Sequence, residues 1–383
     1  MTSPRPSTGA HARLIYAASE SCADLLYATG LMAPDAFLWF SVGGRATVVV
    51  SALEIGRARK QVRSGTTVLA WHEARRDWGV KTERAPVEVL IAALARTVGV
   101  RDWEVPESFP LGLARRLEAQ RVRLKPVAAL FPERQSKSDA EIEHLREGVR
   151  LAETGLDCGL RILRASTVAA DGSLHWQGAP LTAERLRGEI DAEIARHGGT
   201  ASHTITAPGV QGADPHQTGS GPIRAGEPIV LDIFPRVDRT GYFGDLTRTV
   251  VKGKAPKVVR AAFAAVATAQ KRAIAAVRAG VRADTVHKVA LDTLTAAGFK
   301  TDPKASPPHG FFHGTGHGLG LEIHEAPRVS SRVRNRLTAG QVVTVEPGLY
   351  YPEWGGVRIE DVVVVRAGGC ENLTTAPVLL EIA

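Results

Sequence analysis

Two distant segments of this chain copy one another. AGEPIVLD (225–232) and AGQVVTVE (339–346) each run Ala-Gly, then a β-rich stretch, then a carboxylate six residues past the glycine. Each is followed by a turn and a second β-rich segment carrying a further acid, GYFGDLTRTVV (241–251) and GGVRIEDVVVV (355–365). Two helical patterns precede each copy. In the first half Ser138 and Glu141 form an S-x-x-E capping box, after which Ile142, Leu145, Val149, Ala152, Leu156 and Leu163 follow one helical face; a second helix starts at Thr182 and stops at Gly198-Gly199. In the second half the helices run from Pro256 to about Ala279 and from Asp284 to Ala297. An internal duplication of a helix-helix-hairpin unit follows, with acids at equivalent places in both copies.

Acids in Val/Ile-dense strands must be protonated, paired or bound to a cation, because an unpaired buried carboxylate is strongly destabilising. Asp232, Asp245, Glu346 and Glu360 are four such groups, and they converge if the two hairpins face each other across a pseudo-twofold axis. Two divalent cations would neutralise them and could hold a bridging hydroxide while polarising a carbonyl. Taken singly, each acid is better read as a salt-bridged strand residue, since Arg248 and Arg358 lie nearby; the ordered, duplicated pattern is what favours a metal site.

HGTGHGLGLEIHE (313–325) supplies histidines. His313 and His317 are spaced like a zinc-binding helix pair, but glycines at this density cost a helix about 1 kcal/mol each, so a strand or tight loop is expected. The other helix-borne and loop histidines, His11, His72, His144, His175, His197 and His287, read as surface or structural.

At 383 residues two domains are expected, residues 1–135 and 136–383. The first alternates strands (37–41, 46–51, 67–71, 122–127) with a helix at 87–98, a small α/β unit. The fold class is therefore α/β in the broad α+β sense. Three scattered cysteines suggest a reducing compartment, and no apolar run is long enough to span a membrane, so a cytoplasmic protein is expected. Residues 1–137 hold 20 Lys/Arg against 13 Asp/Glu, yet these charges are dispersed without aromatic interleaving, which argues for a solvated basic face and against nucleic-acid binding.

LDIFPR, GYFGDLTRT, HGTGHGLGLEIHE, TVEPGLYY and GVRIED together resemble the pita-bread metallopeptidase family, and ADLLYATGLMAPDAFLWF resembles the N-terminal domain of its Xaa-Pro aminopeptidase, prolidase and creatinase branch. The resemblance implies a C-terminal pita-bread fold behind a smaller creatinase-like domain. It implies Asp232, Asp245, His317, Glu346 and Glu360 as ligands of two metals, Asp245 and Glu360 bridging. Glu346 would also shuttle a proton. His216 would contact substrate, His324 would bond the scissile carbonyl, and His313, Tyr350 and Arg358 would support the substrate pocket. The glycines would let the substrate backbone come close. Carboxylate-rich ligation favours Mn²⁺, with Co²⁺, Zn²⁺ or Fe²⁺ as alternatives. The implied reaction is hydrolysis of Xaa-Pro bonds in small peptides with proline second, by a homodimer. Alternatives are a hydrolase or lyase of a small non-peptide substrate, an ectoine derivative or dimethylsulfoniopropionate, and a binding module without activity. Two departures stand out: Asp232 and Asp245 are thirteen residues apart where the family has eleven, and Phe234 stands where a glycine is frequent.

Overall fold

Ser138 opens the longest helix, Asp139–Ala165, through a reciprocal cap: the Ser138 N–H donates to the Glu141 carboxylate at 2.9 Å while Ser138 Oγ accepts from the Glu141 N–H. The structure is a computed structural model and describes residues 11–383. All six apolar residues expected on the inner face of this helix are buried, and the Ile, Leu and Val side chains among them are worth roughly 1.5–3 kcal/mol apiece against exposure. Its partner Ala183–Arg196 is capped by Thr182, whose hydroxyl accepts from the Arg185 N–H. In the second half the helices are Lys257–Ala276 and Ala283–Ala296.

The contacts divide the chain into two units, one ending at Pro132 and the other running from Glu133 to Ala383. The first unit holds a six-stranded mixed sheet in the order Thr67–Ala70, Arg45–Val50, Phe37–Val42, Ala12–Ala17, Asp102–Pro106, Arg123–Val127. Strand alternation sends Leu14, Leu38, Phe40 and Val49 to one face, with Ile91 and Trp103, and Ile15, Trp39, Val48 and Val50 to the other, with Leu25 and Phe131.

In the second unit each helix pair covers its own sheet. The first sheet pairs Ile205–Pro208, Pro228–Ile233, Leu246–Lys252 and Glu381–Ile382. Ile229, Leu231 and Ile233 face the helix-side core with Leu156, Ile190 and Leu246, so the period of two puts Asp232 on the opposite face. There Asp232 is paired with Thr247, and Val230 with Thr249. The second sheet pairs Glu325–Val329, Gly316–Gly318, Val342–Val345, Asp361–Val365 and Cys370–Asn372; Val343, Val345 and Val363 pack towards Val259, Val266 and Val286. The polar inner faces of the halves meet: Thr249 Oγ1 accepts from the Arg358 N–H at 3.0 Å, and the Glu360 N–H donates to the Thr247 carbonyl at 3.1 Å.

The acid-bearing returning segments are not the unbroken strands expected. Asp245 stands one residue before the strand Leu246–Lys252, and Glu360 lies between Gly355–Arg358, which pairs with Gly348–Tyr351, and Asp361–Val365. Both copies break at the equivalent acid. In the first, the long helix passes so close that a Cβ on Gly244 would meet the Gly148 carbonyl, and one on Gly148 would meet the backbone of Phe243 and Gly244. Regular pairing stops there and turns the Asp245 side chain inward.

Candidate active site

Where the halves meet, Asp245, His317 and Glu360 offer ligand atoms within 4.8 Å of one another, all three buried. Glu346, which directly follows the strand Val342–Val345, brings Oε1 to 3.4 Å from His317 Nε2, and Asp245 Oδ2 lies 3.6 Å from the same nitrogen. His317 is aimed by its surroundings. Its Nδ1–H donates to the Gly318 carbonyl at 3.2 Å, which leaves the Nε2 lone pair facing the acids, and its backbone N–H donates to Thr344 Oγ1 at 3.1 Å. That hydroxyl in turn donates to Glu346 at 3.3 Å. Glu360 accepts from Thr247 Oγ1 at 2.6 Å.

The two arginines that could have explained the acids account for only one of the four. Arg248 turns away to Asp361 at 2.8 Å and to the carbonyls of Glu360 and Ala376. Arg358 bonds Asp232 Oδ2 at 2.5 Å and is the sole guanidinium joined to the four acids among the described residues. Asp232 Oδ1 stays buried without a hydrogen-bond partner there. Burial, then mutual repulsion with Glu360, Asp232 and Glu346, holds Asp245 far above the usual carboxylate range; burial and the neighbouring Glu346 do the same to Glu360. Burial pushes Glu346 up to about 7. Burial and then His324 push His317 down to about 3, so its imidazole is neutral, the form that ligates metal. An orphaned carboxylate oxygen, three acids disfavoured as anions and a neutral imidazole make a donor set that fits divalent cations.

Around this centre a cavity of about 800 Å³ is lined by His216, His313, His324 and Arg358 as well as the five candidate ligands. Arg358 Nη1 donates to Tyr350 Oη at 3.0 Å, and His313, with Nδ1–H on the Gly314 carbonyl at 2.7 Å, accepts a hydrogen bond from the Tyr350 hydroxyl at Nε2, 2.9 Å away. Burial pushes His313 down to about 3 and Tyr350 up to about 12, so this chain is neutral beyond the guanidinium. Tyr350 is fully buried and braces His313 and Arg358 from behind, while those two reach the cavity. The His324 ring stands edge-on to His317, centroids 4.3 Å apart. His216 sits on an exposed turn whose N–H donates to Asp214 at 3.0 Å.

The glycines of 313–325 serve the sheet. A Cβ on Gly316 would strike the Thr344 carbonyl, and one on Gly318 the Ala326 carbonyl, so the residues admit neighbouring strands where the sequence suggested a substrate backbone. Phe234 lines the cavity, as do His203, Phe312, Ile323 and Arg328, which the sequence reading passed over. Arg328 is the most consequential of these. It pairs in register with His317, and its guanidinium has no hydrogen bond or ion pair among the described residues. Only the register of the Gly316–Gly318 and Glu325–Val329 strands could have revealed it.

A duplicated fold with carboxylates and one histidine on its inner seam defines the pita-bread class of metal-site proteins. Residues 143–367 match the model of metallopeptidase family M24, and the chain belongs to that family. It is 34% identical over 244 residues to an uncharacterised peptidase of Staphylococcus haemolyticus, covering 63% of each chain. It is 38% identical over 175 residues to the Xaa-Pro dipeptidase of Pyrococcus furiosus, covering 45% of this chain and 47% of that one. The chain thus spans less than two thirds of these curated relatives in alignment. Among solved structures, the X-Pro aminopeptidase of Thermotoga maritima superposes with a TM-score of 0.83 at 23% identity over 98% of both chains, and the Xaa-Pro dipeptidase of Bacillus anthracis with 0.82 at 24% identity over 98% of this chain and 96% of that one. These likenesses establish the fold.

Proposed function

We propose that the protein is a dinuclear metallopeptidase hydrolysing the bond before proline in short peptides. The observation that carries this is the convergence of buried Asp245 and Glu360 and half-buried Glu346 on a neutral His317, with buried Asp232 held beside them by one guanidinium. Asp232, Asp245, His317, Glu346 and Glu360 would hold two divalent cations, with Mn²⁺ preferred for its oxygen-rich set. When bound, such cations supply Lewis acidity and make water nucleophilic at neutral pH.

The chain's own residues do the rest. Glu346, beside His317, would take a proton from attacking water and return it to the proline nitrogen as the C–N bond breaks. His324 faces the cavity beside His317 and would donate to the carbonyl oxygen as negative charge grows there. His216 and His313 would contact substrate. Arg358, fixed by Tyr350 and Thr247, holds Asp232 in place. Arg328 favours a carboxylate close to the scissile bond, as the C-terminus of a dipeptide would provide. The resemblance adds a homodimer and a cytoplasmic location to this reading, to be checked by sedimentation and by fractionation.

Metal-loaded protein should hydrolyse Xaa-Pro dipeptides, and amidating their C-terminus should raise KM. Turnover of Xaa-Pro-Xaa peptides with no preference for the free dipeptide would remove the role given to Arg328. Failure to hydrolyse any Xaa-Pro peptide would overturn the peptidase reading and leave the non-peptide substrates.

A further inference from the structure

His324 has no hydrogen bond among the described residues, and its side chain is exposed to the cavity. Its position therefore depends on the two ends of its loop. At one end Leu319 and Gly320 follow the strand that carries His317, with the Leu319 N–H on the Val342 carbonyl at 3.2 Å. At the other end is Glu325, the very next residue, and it is held unusually well. Lys137 Nζ contacts Glu325 Oε1, and Arg134 Nη2 donates to Glu325 Oε2 at 2.9 Å, so both carboxylate oxygens are engaged by cations.

These cations come from the start of the same unit, just ahead of the Ser138 cap. The Lys137 side chain is 1% exposed and that of Glu325 9%, so the pair is sealed from water. Lys137 is anchored through its own N–H on the Gly340 carbonyl at 2.8 Å, at the base of the strand leading to Glu346. Arg134 also reaches Glu322 inside the loop at 2.9 Å. Gly320 closes the loop over the same group, since a Cβ there would collide with the Glu325 carboxylate. One buried carboxylate thus ties together both ends of the His324 loop and the segment that precedes the long helix.

We propose that Lys137 and Glu325 are positioning residues for His324, and that their buried ion pair, backed by Arg134, sets where the imidazole stands over the centre. The proposal rests on the role given to His324 above and assigns the clamp that makes that role available. A pair sealed from water is costly to split, because removal of one partner strands the other charge. The loop is the element free to yield, whereas the metal ligands lie on strands or at strand ends.

The test compares Lys137→Met, Lys137→Arg and Glu325→Gln with wild type, each also combined with His324→Gln. Expected are unchanged metal content, kcat lowered about 10- to 100-fold in Lys137→Met and Glu325→Gln with KM little altered, and recovery of most of the rate in Lys137→Arg. In the His324→Gln background the same changes should alter kcat by less than about twofold, because the residue they act through is gone. Equal losses in both backgrounds, or loss of metal, would make the pair merely structural and overturn the proposal. A second readout needs no turnover: the rate at which diethyl pyrocarbonate modifies His324, followed by mass spectrometry, should change severalfold in the clamp variants while His216 does not. If the wild type cleaves no Xaa-Pro peptide, the peptidase reading falls and this readout alone decides the clamp; unchanged His324 reactivity in folded variants would overturn it. Should Lys137→Met fail to fold, Glu325→Gln, which keeps the side-chain shape, carries the same comparison.

Discussion

His317 and His324 are seven residues apart and their rings touch, yet their surroundings differ. His317 is buried, locked by Gly318 and Thr344, and neutral; His324 faces the cavity. His317→Ala should lose both metal and activity, whereas His324→Ala should keep metal and lose about 10²–10³ in kcat, as expected for a single oxyanion donor. Metal analysis beside steady-state kinetics separates the two, and equal metal loss in both would contradict the split. The carboxylates lead to a pH prediction for chelated protein. Asp245, Glu346 and Glu360 have folded pKa values raised above those of the unfolded chain. The folded state therefore binds more protons than the unfolded one, and stability falls as pH rises. Their contribution is complete below the ordinary carboxylate range of ~4 and is lost as pH climbs through the folded values, about 7 for Glu346. Chelated protein should melt at a lower temperature at pH 8 than at pH 6, and Mn²⁺ added at pH 7 should release protons measurable by calorimetry in buffers of different ionisation enthalpy. A melting temperature of chelated protein that rises across that interval would show that these acids are not forced together.

At the scale of the element, the first hairpin offers two aspartates. Asp238 accepts from Thr200 Oγ1 at 2.7 Å and lies exposed in the turn, while Asp245 is buried against His317 and Glu360. Asp245→Asn should lose at least one metal and nearly all activity, and Asp238→Asn should keep both; the reverse would place the hairpin in the wrong register. The duplicated Ala-Gly-strand-acid pattern made Asp232, Glu346 and their partners legible, because strand periodicity and the cost of buried charge are local facts. The breaks at Asp245 and Glu360 were not legible. They arise from close passage of backbones distant in sequence, Gly148 on Gly244 and Thr247 on Glu360, to which no local pattern points. For the same reason the diversion of Arg248 to Asp361 and the exposure of Arg328 to the cavity emerged only with the register of paired strands.

At the scale of the molecule, every buried residue of the two cores around the site lies within residues 133–383, and the cores of the other unit lie before residue 132. We therefore propose that residues 133–383 fold alone. A protein lacking residues 1–132 should unfold cooperatively and bind metal, with an altered substrate preference; an insoluble product, or one that binds no metal, would show that the units depend on one another. Among the described residues no helix is long and apolar enough to cross a membrane. The central claim is that the buried acids and His317 form a metal centre that drives hydrolysis before proline. It is tested most directly by measuring metal content and Xaa-Pro dipeptide turnover on one sample as purified, after chelation and after Mn²⁺ is returned. The account predicts about two metals per chain when active, no turnover when stripped and recovery on reloading; full turnover in protein shown to be metal-free would contradict it.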